Sequence, residues 1–413
     1  MKIVTKTCTY HNASIYSLQL TIELCFCNFY NNRFHLERQP LRYFDRDLLP
    51  HMVYSARRLA SFCRASRDAF TLIPNVTYGL NTILRGYQAN NGDNSHVILW
   101  DTSYGSLKKM AHRYCKGRVT EIPVSDKFDQ WWNDSSHSPS DVFECAFVEA
   151  LEQMKDGTNH HQIENSLLIL DHTTSNTALN MPIERLAKLA KEANMLVMVD
   201  GAHGLLSHDL ALNETDSPHV DFYVGNGHKW LSCPRGIGFL YCPHAHLRDS
   251  ILEQPALISH GIGQGFQSRF LWDGCRDYAA ALSVPAVLDH WKEQLQVNGD
   301  KAQFRNRIHN KLKEATDILG QSWHGNLEQS LLAPLELHSP MMALVRLPKS
   351  VQASPSTSGH AKAVQDFLYD NFIEVPIKCV KGVLYARISC HVYNEIHEYQ
   401  RLAKTVLQFP KTW

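Results

Sequence analysis

Three polar side chains follow two apolar segments of the chain and could act together. The segment VMVDGAHGLLSHDL, residues 197–210, supplies Asp200 and His203, and DFYVGNGHKWLSCPRGIGFLYC, residues 221–242, supplies Lys229. A charged ammonium is costly beside a buried strand, so a lysine held there commonly has a lowered pKa or forms a Schiff base. Most lysines after a strand lie in an exposed turn. The residue types around Lys229 therefore determine whether a functional role is the better interpretation.

Two other features complete a recognisable set. Asp200 could hold a protonated pyridine nitrogen, although a lone aspartate at a strand end more often caps a helix. In PNVTYGLNTIL, residues 74–84, Asn75 and Thr77 precede a helical pattern. Free backbone N–H groups and a hydroxyl there suit a phosphate ester, and a plain helix cap is the alternative. A lysine for an aldehyde, an acid for a ring nitrogen and a helix end for a phosphate together describe pyridoxal 5′-phosphate (PLP).

The elements around these residues alternate between short apolar runs and amphipathic helices. The predicted strands are residues 97–101, 166–171, 195–200, 221–225 and 236–242, and the predicted helices between them are 106–115, 141–154 and 183–194. Apolar strands separated by helices indicate a mostly parallel sheet covered on both faces. Ligands bind at the carboxyl ends of such strands, where Asp101, Asp171 and Asp200 stand. Beyond about residue 295, a long helix, residues 301–319, opens a strand-and-helix pattern that predicts a smaller α+β domain.

Three motifs carry a resemblance to a known family. They are D-G-A-H at residues 200–203, G-N-G-H-K-W at 225–230 and R-G-I-G-F-L-Y at 235–241. In residue type, order and spacing they resemble class V aminotransferases, a family of fold-type I PLP-dependent enzymes. The likeness is strongest to the isopenicillin N epimerase-like branch, which includes hercynylcysteine sulfoxide lyases, and it covers residues 33–409.

The resemblance implies the fold and a division of the chain. It implies an α/β fold of the fold-type I PLP-dependent transferases, with a mostly parallel, seven-stranded-type sheet flanked by helices. The large PLP-binding domain would be residues 33–295 and the small C-terminal α+β domain residues 296–413. Residues 1–32 form an atypical N-terminal segment, because relatives open with F-L-N-H-G-S-x-G, which lines their substrate pocket. This departure affects the expected substrate binding more than the expected cofactor binding.

The same resemblance assigns contacts with the cofactor ring. Lys229 matches the lysine that joins the PLP aldehyde, and Asp200 matches the partner of the pyridine nitrogen. His203 matches the histidine beside the ring that orients this partner. Ser175 matches the residue that hydrogen-bonds the phenolic oxygen, and Thr174 stands next to it.

Further positions match the contacts made by the cofactor's phosphate. Thr77, with the backbone amides of Val76 and Tyr78, corresponds to the phosphate cradle. Asn226 and His228 correspond to additional phosphate contacts.

Two arginines match substrate contacts. Arg387, in the R-I-S-x-x-x-Y-N pattern, corresponds to the residue that binds the substrate's α-carboxylate, a task that suits a guanidinium fork. A surface salt bridge is the alternative for an isolated arginine. Arg276 lies in a loop that reads W-x-G-T-R-D in relatives, where the threonine reaches a neighbouring subunit's phosphate. Cys275 replaces that threonine, and a thiol is the poorer donor.

Several reactions fit this set. A carbon–sulfur lyase is favoured, because β-elimination needs only Lys229 as the base and an acid such as Tyr104. Tyr104 falls where the family places a ring stacked on the cofactor. An epimerase needs a second acid or base on the opposite face, and aminotransfer also stays open. The non-enzyme alternative is a catalytically impaired PLP-fold protein that lacks the usual substrate-binding segment.

The sequence argues against a cysteine desulfurase. Such enzymes need a nucleophilic cysteine on a loop about 15 or 28 residues before the arginine, and those positions are Phe372 and Gly359. Cys379 is too close to the arginine and lies in a predicted strand.

Composition limits the classes of partner. The 41 basic and 41 acidic residues balance, so no nucleic-acid partner is indicated. No apolar run has the length of a membrane span, and the scattered histidines predict no metal site. Eleven cysteines without repeated spacing predict free thiols and a cytoplasmic location. The resemblance implies a homodimer with a small amino-acid substrate, in which residues 272–277 serve the neighbouring subunit.

Overall fold

The computed structural model describes residues 2–3, 34, 37–128, 141–156, 163–297, 299–326 and 330–410. Most of the atypical N-terminal segment therefore lies outside the described residues. The short strand β1, Lys2–Ile3, is the described part of it, and it pairs with a strand of the C-terminal half. The domain boundaries at residues 32 and 295 stay predictions.

A seven-stranded sheet forms the centre of the chain. Its strands are β2 (Phe70–Ile73), β3 (His96–Trp100), β4 (Arg118–Ile122), β5 (Leu167–Asp171), β6 (Leu196–Gly201), β7 (Phe222–Asn226) and β8 (Gly238–Tyr241). Their order across the sheet is β2-β8-β7-β6-β5-β3-β4, and β8 runs in the direction opposite to the other six strands. The sheet is therefore mostly parallel, as the apolar runs predict.

Both faces of this sheet are covered. In β3, Ile98 and Trp100 contribute to one buried cluster, whereas Val97 and Leu99 contribute to a second cluster on the other face. Successive strand residues point to opposite faces, so strands buried on both sides must be apolar throughout. β4, with the sequence RVTEI, is partly exposed and polar at the sheet edge, which is why the apolar-run criterion missed it.

Helices pack on and around the sheet. Their bounds are α1 (Pro40–Arg42), α2 (Leu49–Phe62), α3 (Val76–Asn91), α4 (Gly105–Tyr114), α5 (Asp141–Asp156), α6 (Ile183–Glu192), α7 (Ala245–Ser250), α8 (Phe266–Leu271), α9 (Ala279–Leu282) and α10 (Val284–Val297). A π-helical turn, Tyr43–Leu48, joins α1 to α2. The predicted helices of this half are present as α4, α5 and α6, with ends shifted by a few residues. Helices α2 and α10, which the sequence analysis did not predict, pack against each other.

The C-terminal part contains its own small sheet. Strands β9 (Met342–Arg346), β10 (Ile373–Glu374), β11 (Ile377–Val380) and β12 (Val383–Ser389) alternate with α11 (Lys301–His324), α12 (Ser358–Asp370) and α13 (Ile396–Leu407). β11, β12 and β9 form a three-stranded antiparallel sheet, and β1 pairs with β10. α11 packs against α13 and β9 and begins at the capping box of Asp300 and Gln303. An α+β arrangement follows the sheet, as predicted.

The described part of the chain contains neither a membrane-spanning helix nor a cluster of metal ligands. No helix there is long and apolar enough to cross a bilayer. No group of three or more histidine, cysteine or acidic side chains there is arranged to hold a metal ion.

Candidate active site

Polar side chains meet at the carboxyl ends of β5, β6 and β7. β5 ends at Asp171 and β6 carries Asp200, and the parallel register pairs these two residues directly. Lys229 follows the end of β7 by three residues. Because β5, β6 and β7 are neighbours in the sheet, their ends form one edge, where the sequence analysis predicted a site.

The amine of Lys229 lies against the imidazole of His203. Lys229 Nζ is 3.0 Å from His203 Nε2. Burial and the positive charge of Arg387 lower the pKa of Lys229 to about 8, and the attraction of Asp200 opposes this shift. Burial, reinforced by the Lys229 charge, lowers the pKa of His203 well below its usual value, so this ring is neutral. An ammonium can only donate, so His203 accepts at Nε2 and carries its proton on Nδ1.

His203 also has an unsatisfied buried atom. Within the described ranges no hydrogen-bond partner faces its Nδ1, which is shielded from solvent. The Nε of Arg387 is also buried and has no hydrogen-bond partner among the described residues. Unpaired buried polar atoms are rare in native proteins and commonly mark a place where a ligand or water completes the network.

Asp200 is the anion of this edge. Its side chain is buried, and Oδ1 accepts a hydrogen bond of 3.0 Å from the backbone N–H of Ala202. Burial raises the pKa of Asp200, while that bond and the charge of Lys229 oppose the shift. A buried carboxylate with a single nearby ammonium suits a second cationic partner, such as a protonated ring nitrogen.

The predicted anion cradle is only partly open. α3 begins after Asn75, whose Oδ1 accepts from the backbone N–H of Tyr78 at 2.9 Å. The N–H of Val76 donates to Asn226 Oδ1 at 3.0 Å. Both backbone amides predicted to bind phosphate thus have side-chain acceptors in this structure. Thr77 is exposed at the helix start, and Asn226 acts here by bracing the cradle.

His228 and Tyr104 flank this edge in different ways. His228 Nδ1 donates to the carbonyl of Ile237 at 3.0 Å, and burial lowers its pKa. With the proton fixed on Nδ1, the Nε2 of the neutral ring can only accept, so contact with a phosphate requires the doubly protonated ring. Tyr104 caps α4 with an exposed side chain, 44% accessible, which leaves its ring free to cover a ligand.

Ser175 and Arg387 join the large sheet to the small one. A guanidinium nitrogen of Arg387, on β12, donates to the carbonyl oxygen of Ser175 and lies 3.5 Å from its Oγ. Burial lowers the pKa of Arg387. Thr174, predicted to lie at the cofactor, is fully buried, and its hydroxyl bonds Thr177 and the backbone of Leu179. Its hydroxyl therefore holds the turn that carries Ser175.

Arg276 is engaged within its own loop. Its Nε donates to Asp273 at 2.6 Å, and the guanidinium lies 4.2 Å from the centroid of the Tyr278 ring. Burial raises the pKa of Tyr78, in the first turn of α3, and the charge of Asp273 raises it further while that of Arg276 lowers it. Because both charges act on Tyr78, this loop lies near the start of α3. Cys275 is exposed on this loop.

Lys378, on β11, is a cation of the small sheet that no sequence motif singled out. It lies on β11 opposite Tyr385, hence on the same face as Arg387 two residues further along β12. Burial, and then the charge of Arg387, lower the pKa of Lys378. The pairing of β11 with β12 brings it there, and no local sequence signal encodes that register.

The described cysteines offer no loop nucleophile near Arg387. Cys379 lies on β11, half-buried, and its thiol contacts the carbonyl of Ser356 at 3.3 Å. Of the two positions considered above, Gly359 lies in the first turn of α12 and Phe372 lies in the turn that follows this helix.

A family model describes much of the large sheet and the helices after it. The model of the aminotransferase class-V family matches residues 148–321, a range that includes Asp200, His203 and Lys229. The chain is a relative of the class-V aminotransferases. The resemblance predicted from the sequence motifs is therefore confirmed.

Curated relatives of this chain agree with that resemblance. It is 28% identical to a probable chloroplastic L-cysteine desulfhydrase of Arabidopsis thaliana, over 89% of this chain and 76% of that protein. It is 26% identical to the isopenicillin N epimerase of Amycolatopsis lactamdurans, over 90% of this chain and 88% of that protein. Both kinds of relative lie in the branch that the motifs indicate.

Solved structures confirm the fold of this class-V relative. The cystine C–S lyase C-DES, in complex with its product cysteine persulfide, superimposes with a TM-score of 0.70 at 18% identity, covering 94% of each chain. A lysine-to-alanine mutant of C-DES, with glycine covalently linked to its PLP cofactor, gives 0.70 at 17% identity over 93% of each chain. The fold is that of the fold-type I PLP-dependent enzymes, as predicted.

Proposed function

We propose that this chain is a PLP-dependent enzyme that acts on a sulfur-containing amino acid as a carbon–sulfur lyase. The observation that carries the proposal is the nearly buried amine of Lys229, 3.0 Å from His203 and with a pKa lowered to about 8. An amine in that state is nucleophilic near neutral pH, whereas an ordinary lysine is almost wholly protonated.

The side chains of this edge fit PLP by the chemistry of their groups. Lys229 would hold the aldehyde carbon, Asp200 the ring nitrogen, and Ser175 the phenolic oxygen. Thr77 and His228 would hold the phosphate. The buried, unpaired Nδ1 of His203 supports a bound group at this place. When bound, PLP withdraws electrons from the bonds to the α-carbon of an amino acid.

The residues of the chain supply proton transfer and orientation. Lys229 Nζ takes the proton from the substrate's α-carbon, and Arg387 holds its carboxylate. The carbon–sulfur bond then breaks and both electrons leave with sulfur, which receives a proton from Tyr104. A substrate R–S–CH2–CH(NH3+)–COO− and one water thus yield R–SH, pyruvate and ammonium.

Two observations favour a lyase over other outcomes. L-cysteine desulfhydrases are among the curated relatives, and a cystine C–S lyase is among the structural ones. Of the described cysteines near Arg387, Cys379 donates to a backbone carbonyl from a strand, which disfavours desulfurase chemistry. An isopenicillin N epimerase-like activity is the second candidate, because two such enzymes are relatives.

The test is a panel of sulfur-containing L-amino acids incubated with the purified chain and PLP. Pyruvate and thiol in equal amounts support the lyase. Exchange of the α-hydrogen with D2O, without pyruvate, supports the epimerase, and transfer of the amine to a 2-oxo acid supports an aminotransferase. Borohydride reduction followed by peptide mass spectrometry locates the cofactor. A colourless protein without an adduct on Lys229 would support the catalytically impaired alternative.

A homodimer in the cytoplasm belongs to the same proposal. Leu257 and Ile258, 54% and 65% exposed, follow Ala256, whose carbonyl oxygen accepts a hydrogen bond from Arg85 of α3. Contiguous exposed apolar side chains mark interaction surfaces, and a second copy of the chain would cover this pair. Sedimentation at micromolar concentration tests the assembly, and a strictly monomeric protein would contradict it.

A further inference from the structure

Two acidic side chains stand side by side at the edge of the large sheet. The register of β5 and β6 pairs Asp171 with Asp200. The residues two positions earlier, Ile169 and Met198, belong to the same buried cluster, so both acids face the same side of the sheet. Their relative exposures are 2% and 5%. In the described part of the chain, no lysine or arginine forms an ion pair with Asp171.

Asp171 binds the turn that starts α4. The hydroxyl of Ser103 donates to Asp171 Oδ2 at 2.6 Å, and the backbone N–H of Tyr104 donates to the same carboxyl group. Ser103 Oγ accepts in turn from the backbone N–H of Trp100 at 3.3 Å. One carboxyl group thus fixes the point where the Tyr104 side chain leaves the backbone.

The surroundings determine which acid of the pair carries the charge. Burial, followed by the proximity of Asp200, raises the pKa of Asp171 to about 8, against the two donors at Ser103 and Tyr104. Lys229 stabilises the anion of Asp200 and not that of its neighbour. The other ionisable groups around this edge, His172, His203 and Tyr223, are buried and neutral.

We propose that Asp171 is a positioning residue: an uncharged acid that holds the Ser103–Tyr104 turn beside Asp200 and leaves Asp200 as the one anion of this edge. Two buried carboxylates in adjacent register cannot both ionise without a second cation. Keeping the proton on Asp171 directs the charge of Asp200 to Lys229 and to the ligand. The part that concerns PLP rests on the proposed function, whereas the protonation of Asp171 does not.

Three variants separate shape from charge. Asp171→Asn has the shape of the neutral acid and keeps an acceptor for Ser103, whereas Asp171→Leu removes it. Asp101→Asn is the matched control, because Asp101 follows β3 at the same edge and accepts from Ser125. The first readout is the dissociation constant of PLP, followed by tyrosine and tryptophan fluorescence. Asp171→Asn should stay within about twofold of the parent chain, and Asp171→Leu should bind PLP at least tenfold more weakly.

The second readout needs no cofactor. An acid whose pKa is higher in the folded than in the unfolded chain stabilises the fold at low pH, and that stability is lost between about pH 4 and 8. The urea midpoint of the apo-protein should therefore fall, relative to Asp171→Asn, as pH rises through this window. A constant difference between the two would overturn the proposal, as would PLP binding equally weak in Asp171→Asn and Asp171→Leu. If no variant and no parent chain binds PLP, the proposed function fails while the urea series still reports on Asp171.

Discussion

The imidazole of His391 donates a hydrogen bond from Nε2 to the carbonyl oxygen of Trp230 at 2.9 Å. Trp230 is the residue after Lys229, and His391 is four residues beyond Arg387. The rings of His391 and Trp230 are parallel within 7°, with centroids 6.2 Å apart. The next carbonyl, of Leu231, accepts from the indole of Trp291 at 2.9 Å. The backbone behind Lys229 is therefore held by two side chains from outside the large sheet.

Replacing His391 with phenylalanine should loosen this contact while retaining an aromatic ring. The buried carbonyl of Trp230 would keep only the 3.5 Å contact of the Ser232 hydroxyl, and loss of the shorter bond costs about 1–3 kcal/mol of unfolding free energy. We expect urea denaturation to show this loss and kcat to fall more than the affinity for substrate changes. His391→Gln, which can still donate, is the matched control, and equal losses in both variants would contradict a role for the hydrogen bond.

Acid should destabilise the chain through three buried histidines. Burial lowers the pKa values of His172, His338 and His391 to about 4, and the unfolded value is about 6.5. Their stabilising contribution is complete above about pH 6.5 and is lost as pH falls toward 4. Each contributes a slope of roughly 1.4 kcal/mol per pH unit, which Asp171 partly offsets. Urea unfolding between pH 7 and 4.5 measures this slope. His391→Phe should lower it by the contribution of one histidine, roughly 1.4 kcal/mol per pH unit. An unchanged slope would argue against the burial of His391 in its neutral form.

The reaction of apo-protein with PLP should follow the titration of Lys229. The neutral amine attacks the aldehyde, so the association rate should rise with pH and level off above about 8, and not near 10.5. Stopped-flow absorbance at several pH values gives the midpoint. Asp200→Asn removes the attraction that raises the Lys229 pKa and should shift the midpoint downward. A midpoint near that of free lysine would show that the amine is solvated.

Arg387→Gln should reduce kcat/KM for the amino-acid substrate by roughly ten- to hundredfold, chiefly through KM, because a charge-assisted hydrogen bond to the carboxylate is lost. Lys378→Gln removes one positive charge from the same face of the small sheet and is the matched control. Steady-state kinetics with one sulfur-containing amino acid compares them. Equal effects would indicate that general charge, and not the guanidinium fork, attracts the substrate.

Gly201→Ala should destabilise the fold because the phenol of Tyr223 lies against this glycine. An added Cβ would lie 2.1 Å from the Tyr223 ring, whose hydroxyl bonds His172 Nδ1 at 2.8 Å. Overpacking of this kind costs about 1–3 kcal/mol. Gly359→Ala, near the start of α12, is the control, since its Cβ would meet its nearest neighbour at 3.5 Å. Urea midpoints compare the two, and similar values would mean that Tyr223 moves aside without cost.

Local patterns in the sequence predicted the elements that carry the site. The apolar runs ending in Asp171 and Asp200, and the motif around Lys229, place these residues at strand ends whatever the order of the strands. The cap at Asn75 is also local, because its side chain bonds the N–H three residues away. Hydrophobic periodicity and helix capping depend on residues within a few positions of one another, so a single sequence is sufficient to predict these elements.

Contacts between distant segments required the tertiary structure. The pairing of Asp171 with Asp200, the 3.0 Å approach of Lys229 to His203 and the place of Lys378 beside Arg387 all follow from strand order and register. Residues distant along the chain also determine whether a backbone N–H is available to a ligand. The N–H of Val76, for example, donates to the side chain of Asn226, 150 positions away. Thus the sequence by itself determined which side chains stand at strand ends. Their pKa values and partners were decided by packing, because burial and charge depend on neighbours that are distant along the chain.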